Sequence, residues 1–132
     1  MIMKISNEVI ADFAESSSYK ERFLAEYAQL KQRYEKLKAF NTKICAARAT
    51  EHFDDCAKAV MPKHDCPEHL LRDQQSFMGE YLHILEVRAV IEGIDLSSAM
   101  EIMAIESYRR AHEVRANANE SLGDTESRHE AE

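Results

Sequence analysis

At 132 residues the chain is long enough for one domain with a buried core, and no disulfide or metal staple is obligatory. Three Gly, two Pro, 31% charged residues and a net charge of −7 favour helices over sheets and argue against nonspecific binding to a nucleic-acid duplex. No apolar run approaches the roughly 18 residues of a membrane span and no N-terminal stretch has the form of a secretory leader, so a cytoplasmic protein without membrane contact is expected.

The first element is "SNEVIADFAE", where Val9, Ile10 and Phe13 share a face behind a cap at Ser6 or Asn7. "SSS" at 16–18 ends it, and Ser18 with Glu21 forms an S-x-x-E capping box that opens a long second helix. Phe23, Tyr27, Leu30, Tyr34, Leu37 and Ile44 advance in steps of four and three, with the polar Asn41 at the position between the last two. Such a seam packs either on the next helix of its own chain or on a second copy. In the second case Tyr27, Leu30, Tyr34, Leu37 and Asn41 form a dimer seam, with Asn41 fixing its register.

Pro67 suits the first turn of a third helix, and Gly93 supplies its stop. Between them Leu70, Leu71, Phe77, Met78, Tyr81, Leu82, Ile84, Leu85 and Ile91 make a stripe wider than one seam, which implies partners on two sides. Asp95, Ser97 or Ser98 then caps a fourth helix carrying Ile102, Met103, Ile105, Tyr108 and Val114. The expected fold is all-α: a long antiparallel helical hairpin with a short N-terminal helix and a further long helix packed on it, a small bundle and a homodimer. Residues 1–116 are read as one helical domain with 51–67 as an insert between the hairpin helices, and the acidic stretch 117–132 as a disordered tail.

Charge is unevenly divided. From Ser18 to Thr50 eight Lys or Arg face three Glu, a net of +5, which leaves nine against twenty-one, or −12, for the rest. Lys31, Arg33, Lys36 and Lys38, with Tyr34 among them, are candidates for holding phosphate; the alternative is an ordinary solvated face. On the acidic side Glu80, Glu86, Glu92, Glu101 and Glu106 are candidates for a surface that meets a basic partner.

The insert raises the question of a metal. His52, Cys56, His64, Cys66 and His69 supply the nitrogen and sulfur ligands that zinc takes tetrahedrally, but H-x3-C-x7-H-x-C-x2-H follows no finger or ribbon spacing. The plainer reading is a polar connection in which Phe53, Val60 and Met61 fold back on the core as a helical turn. The three cysteines, Cys45, Cys56 and Cys66, lack CxxC spacing and are read as reduced thiols. No glycine-rich phosphate loop, HExxH or G-x-S-x-G occurs, so no cofactor and no enzymatic activity are expected.

At "ERFLAEYAQLKQRYEKLKAF" and "LLRDQQSFMGEYLHILEVRAVIEGIDL" the chain resembles a family of small helical bacteriophage accessory proteins best known from the crAss-like phages. The resemblance is carried by Leu70, Leu71, Gln74, Met78, Tyr81, Leu85 and Arg88. It implies a product of a phage or prophage genome acting in the host cytoplasm, and it brings no site residue with it. Three functions then compete. The first expectation is a non-enzymatic inhibitor that binds a host protein or complex, such as a CRISPR defence effector, through an acidic or apolar helical surface. The second is an oligomeric sponge that encloses a nucleotide defence signal with Lys31, Arg33, Tyr34, Lys36 and Lys38. The third is a structural or regulatory helical dimer.

Overall fold

A computed structural model describes residues 4–54 and 57–130 of the chain. It contains four helices, α1 (Asn7–Ala14), α2 (Tyr19–Ala49), α3 (Glu68–Glu92) and α4 (Leu96–Glu130), and no strand among the described residues. The all-α expectation therefore holds. The helix ends follow local chemistry. Ser6 Oγ accepts the Val9 amide to cap α1, and Ser18 Oγ accepts the Glu21 amide at the start of α2. Gly93 closes α3 in the left-handed region at φ 71°, and Asp95 accepts the Ser98 amide at the start of α4.

The helices group into two compact units, one formed by the chain up to Ala25 together with the chain from Asp95 onward, the other by Glu26–Ile94. In the first unit α1 packs on α4, and Ile5, Val9, Ile10, Phe23, Leu24, Met103 and Ala104 are buried. A polar tie crosses this core: the Ser6 amide donates to Ser107 Oγ at 2.9 Å, and that hydroxyl donates onward to the Met103 carbonyl at 2.8 Å. On the surface Arg110 reaches Asp12 at 2.6 Å and Glu106 at 2.9 Å. Arg109, then Arg110, hold the Glu106 carboxyl down at about 2. The helix α4 is drawn continuously from Leu96 to Glu130, and residues 131–132 lie outside the described residues.

In the second unit α2 and α3 form the antiparallel hairpin, and the side-chain pairs give its register. Tyr27 on α2 donates to Glu86 on α3 at 3.2 Å, Tyr34 lies against Gly79, Asn41 reaches Gln75 and Leu71, and Arg48 bonds Glu68 at 2.6 Å. The α2 partners rise by sevens while the α3 partners fall, as an antiparallel seam with a heptad repeat requires. Tyr27, Asn41 and Ile44 from α2 and Leu82, Leu85 and Ala89 from α3 are buried in it. The seam predicted for a dimer is thus occupied within the chain. Asn41 does fix a register, but that of its own hairpin. Its amide donates to Gln75 Oε1 at 2.8 Å and to the Leu71 carbonyl at 3.1 Å, while Leu30, Tyr34 and Leu37 are half-buried beside it.

Candidate functional site

The helical period divides the basic cluster. Residues 31 and 33 lie roughly 200° apart around an α-helix, so the seam of α2 separates them. Arg33 and Lys36 fall on one flank with Leu30, Leu37 and Phe40. Across from them α3 contributes Gln74 and Met78, one helical turn apart. These seven residues line an open groove of about 590 Å³, within the usual range for small-ligand sites. Its floor is apolar, its α2 wall carries two cations, and its α3 wall offers an amide that both donates and accepts. Neither Arg33 nor Lys36 makes an ion pair among the described residues. Elsewhere in the chain Arg48 is held by Glu68, Arg88 by Glu92, Arg109 by Glu106 and Arg110 by Asp12, whereas these two cations, like Lys38 and Lys43 on the same helix, are in no ion pair among the described residues.

The remaining phosphate candidates lie elsewhere. Lys31 and Tyr34 line a smaller pocket of about 210 Å³ on the opposite flank, with Glu35, Gly79, Leu82, His83 and Glu86. The Lys31 ammonium sits 5.7 Å from the centre of the Tyr27 ring, in reach of its π face. Two carboxylates in that pocket work against a bound anion, and they bear on Tyr27 as well. Burial, and then Glu86, push the Tyr27 phenol up to about 12. Lys38 is exposed and lines neither pocket. Of the five residues predicted for phosphate, Arg33 and Lys36 come together. The groove's other members were missed because Gln74 and Met78 join it only through the hairpin register.

Among the described residues no three His, Cys, Asp or Glu side chains gather as a metal ion requires. His64 is committed to structure: Nδ1 bonds the Pro62 carbonyl at 2.8 Å, Nε2 lies 3.6 Å from Glu68, and the ring meets Phe40 edge-on with centroids 6.1 Å apart. His52, Cys66 and His69 are exposed, and Cys56 lies outside the described residues. The helical turn expected of the insert is also replaced. Phe53 and Val60 are exposed, Met61 is half-buried, and Thr50 Oγ1 accepts the Ala59 amide at 2.9 Å to hold the connection against the end of α2.

The acidic candidates are divided between the two units. Glu80, Glu86 and Glu92 belong to the hairpin unit, Glu101 and Glu106 to the other. Glu86 accepts from Tyr27, Glu92 pairs with Arg88, and Glu106 pairs with Arg109 and Arg110; Glu80 and Glu101 are exposed. No helix among the described residues is long and apolar enough to cross a membrane.

Neither a curated protein nor a solved structure matches this chain. The model of one family, described as Sequestin, matches residues 17–91, more than half of the chain. That span holds the whole of α2 and nearly all of α3, and with them every residue of the groove. By this match the chain belongs to the Sequestin family.

Proposed function

We propose that the chain is a binding protein that sequesters a small anionic ligand of nucleotide type in the α2–α3 groove, without turning it over. The observation that carries this reading is the pairing of two uncommitted cations, Arg33 and Lys36, with an apolar floor of Leu30, Leu37, Phe40 and Met78. A nucleotide has a flat apolar base and a charged phosphate and needs both surfaces within a few ångströms. Gln74 on the α3 wall can bond a base edge or a sugar hydroxyl. The family name itself speaks of sequestering, which supports a protein that acts by holding its ligand. In the setting that the phage resemblance implies, the ligand is a nucleotide signal of host defence. Inhibition through an acidic surface has less support, because Glu86, Glu92 and Glu106 are engaged by neighbours in their own units.

The test is titration calorimetry of the purified chain against a panel of linear and cyclic mono- and dinucleotides, repeated with Arg33→Gln/Lys36→Gln. A charge-assisted contact contributes about 1.5–3 kcal/mol, so losing both should weaken binding by at least about 100-fold. Lys31→Gln and Lys38→Gln should bind as the unaltered chain does. Equal losses in all three variants would mean a diffuse charge effect and would sink the groove assignment.

A further inference from the structure

The α3 helix has a second face that its hairpin leaves open. Leu71, Gln75, Met78, Leu82, Leu85 and Ala89 turn toward α2. Roughly 120° around the helix stand Leu70, Phe77, Tyr81, Ile84 and Ile91, spaced by seven, four, three and seven; Tyr81, at the edge of this face nearest α2, donates its hydroxyl to Glu26. All five are exposed, Phe77 at 69% and Ile91 at 78%, in spite of a repeat that suits a buried seam. We propose that a second copy of this chain docks on this face, with the two α3 helices antiparallel about a two-fold axis that passes between Glu80 and Tyr81.

Two observations select this occupant. The first is complementarity of the face with itself. Placing the axis there sets Phe77 against Ile84 and Leu70 against Ile91 of the second copy, each contact occurring twice, as an isologous interface demands. The same register brings Asp73 close to Arg88 of the second copy. Both are exposed, and Arg88 already lies 3.7 Å from Glu92, so the crossing pair extends an existing one. Glu80, next to the axis, approaches its own counterpart and is the one unfavourable pair. The second observation is area. A large apolar side chain offers on the order of 150–200 Å². At the observed exposures the face presents roughly 500 Å² of apolar surface per copy, the larger part of the roughly 800 Å² per partner that a standard stable interface buries. The face is distinct from the seven-residue groove, and the failure of either assignment leaves the other standing.

The test is the mass of the full chain in solution by light scattering at micromolar concentration, with helicity followed by circular dichroism. The unaltered chain should be a dimer. Phe77→Glu, at an exposed position, should be a monomer of unchanged helicity. Asp73→Arg and Arg88→Asp should each weaken the dimer, since each places two like-charged pairs across the axis, and mixing the two variants should restore a heterodimer with both pairs matched. A monomeric unaltered chain, a Phe77→Glu chain that stays dimeric with its helicity intact, or single charge variants that self-associate as well as their mixture would overturn the proposal.

Discussion

Replacing Asn41 offers the sharpest probe of the hairpin. Its side chain is 6% exposed, and its amide makes two bonds to α3, 2.8 Å to Gln75 Oε1 and 3.1 Å to the Leu71 carbonyl. A hydrogen bond of this kind contributes about 0.5–1.5 kcal/mol net, so Asn41→Ala removes about 1–3 kcal/mol. The value should fall near the middle of that range, because neither acceptor is stranded. Leu71 lies within α3, where its carbonyl also serves the helix, and half-buried Gln75 can turn to water. Asn41→Leu also deletes both bonds but adds apolar burial of about 1.5 kcal/mol or more, which leaves it within about 1 kcal/mol of the unaltered chain. Urea unfolding followed by helical circular dichroism reports both values. A cycle of Asn41→Ala, Gln75→Ala and the double variant should give a coupling near 1 kcal/mol. An Asn41→Ala chain within 0.5 kcal/mol of the unaltered one, with no coupling to Gln75, would refute the register on which the groove depends.

Further outcomes follow from the same geometry. The Tyr27 phenol is raised, so whatever stability its neutral form lends is complete below about pH 10 and is lost as pH rises toward 12; the difference in phenolate absorbance between the unaltered chain and Tyr27→Phe should appear near pH 12, and a midpoint at the ordinary tyrosine value would contradict its burial beside Glu86. Glu106 is depressed, so its contribution is complete above about pH 4.5 and is lost as pH falls through about 2; a carboxyl NMR titration should show the low midpoint, and neutralising Arg109 and Arg110 should move it back toward 4.5. Gly93→Ala meets no atom within 4 Å but forces alanine to φ 71°, at a cost of about 1–2 kcal/mol in thermal or urea unfolding. No loss at Gly93 would mean that α3 ends differently.

Much of the fold is legible in short signals. Ser6, Ser18, Pro67, Gly93 and Asp95 mark helix boundaries because each satisfies or spares the unpaired backbone groups of a helix end. The 27–34–41 repeat announces a seam without saying whether its partner is in the same chain or another. Only the loss of Asn41 and Tyr27 into contacts with α3 decides that, since a heptad pattern encodes a face and not an address. The width of the α3 stripe was readable as two faces, and the structure divides it into one that is buried and one that is exposed. The division of the basic cluster was also within reach, because the 3.6-residue period already sets Lys31 apart from Arg33. The groove itself was not. Gln74 and Met78 reach Arg33 and Phe40 only after the hairpin register is known, and nothing local in "RDQQSFM" specifies it. The exposure of Phe53 and Val60 was equally hidden, because the insert is held by Thr50, the Pro62 carbonyl and Glu68 and not by its apolar residues.

The most direct measurement is native mass spectrometry of the full chain isolated gently from bacterial cells that make the signal nucleotides of host defence, alongside Arg33→Gln/Lys36→Gln prepared in the same way. The account predicts a nucleotide-sized increment on the unaltered chain, released intact on denaturation, and none on the double variant. An unaltered chain that carries no small molecule from such cells, or a double variant that carries the same increment, would contradict sequestration in this groove.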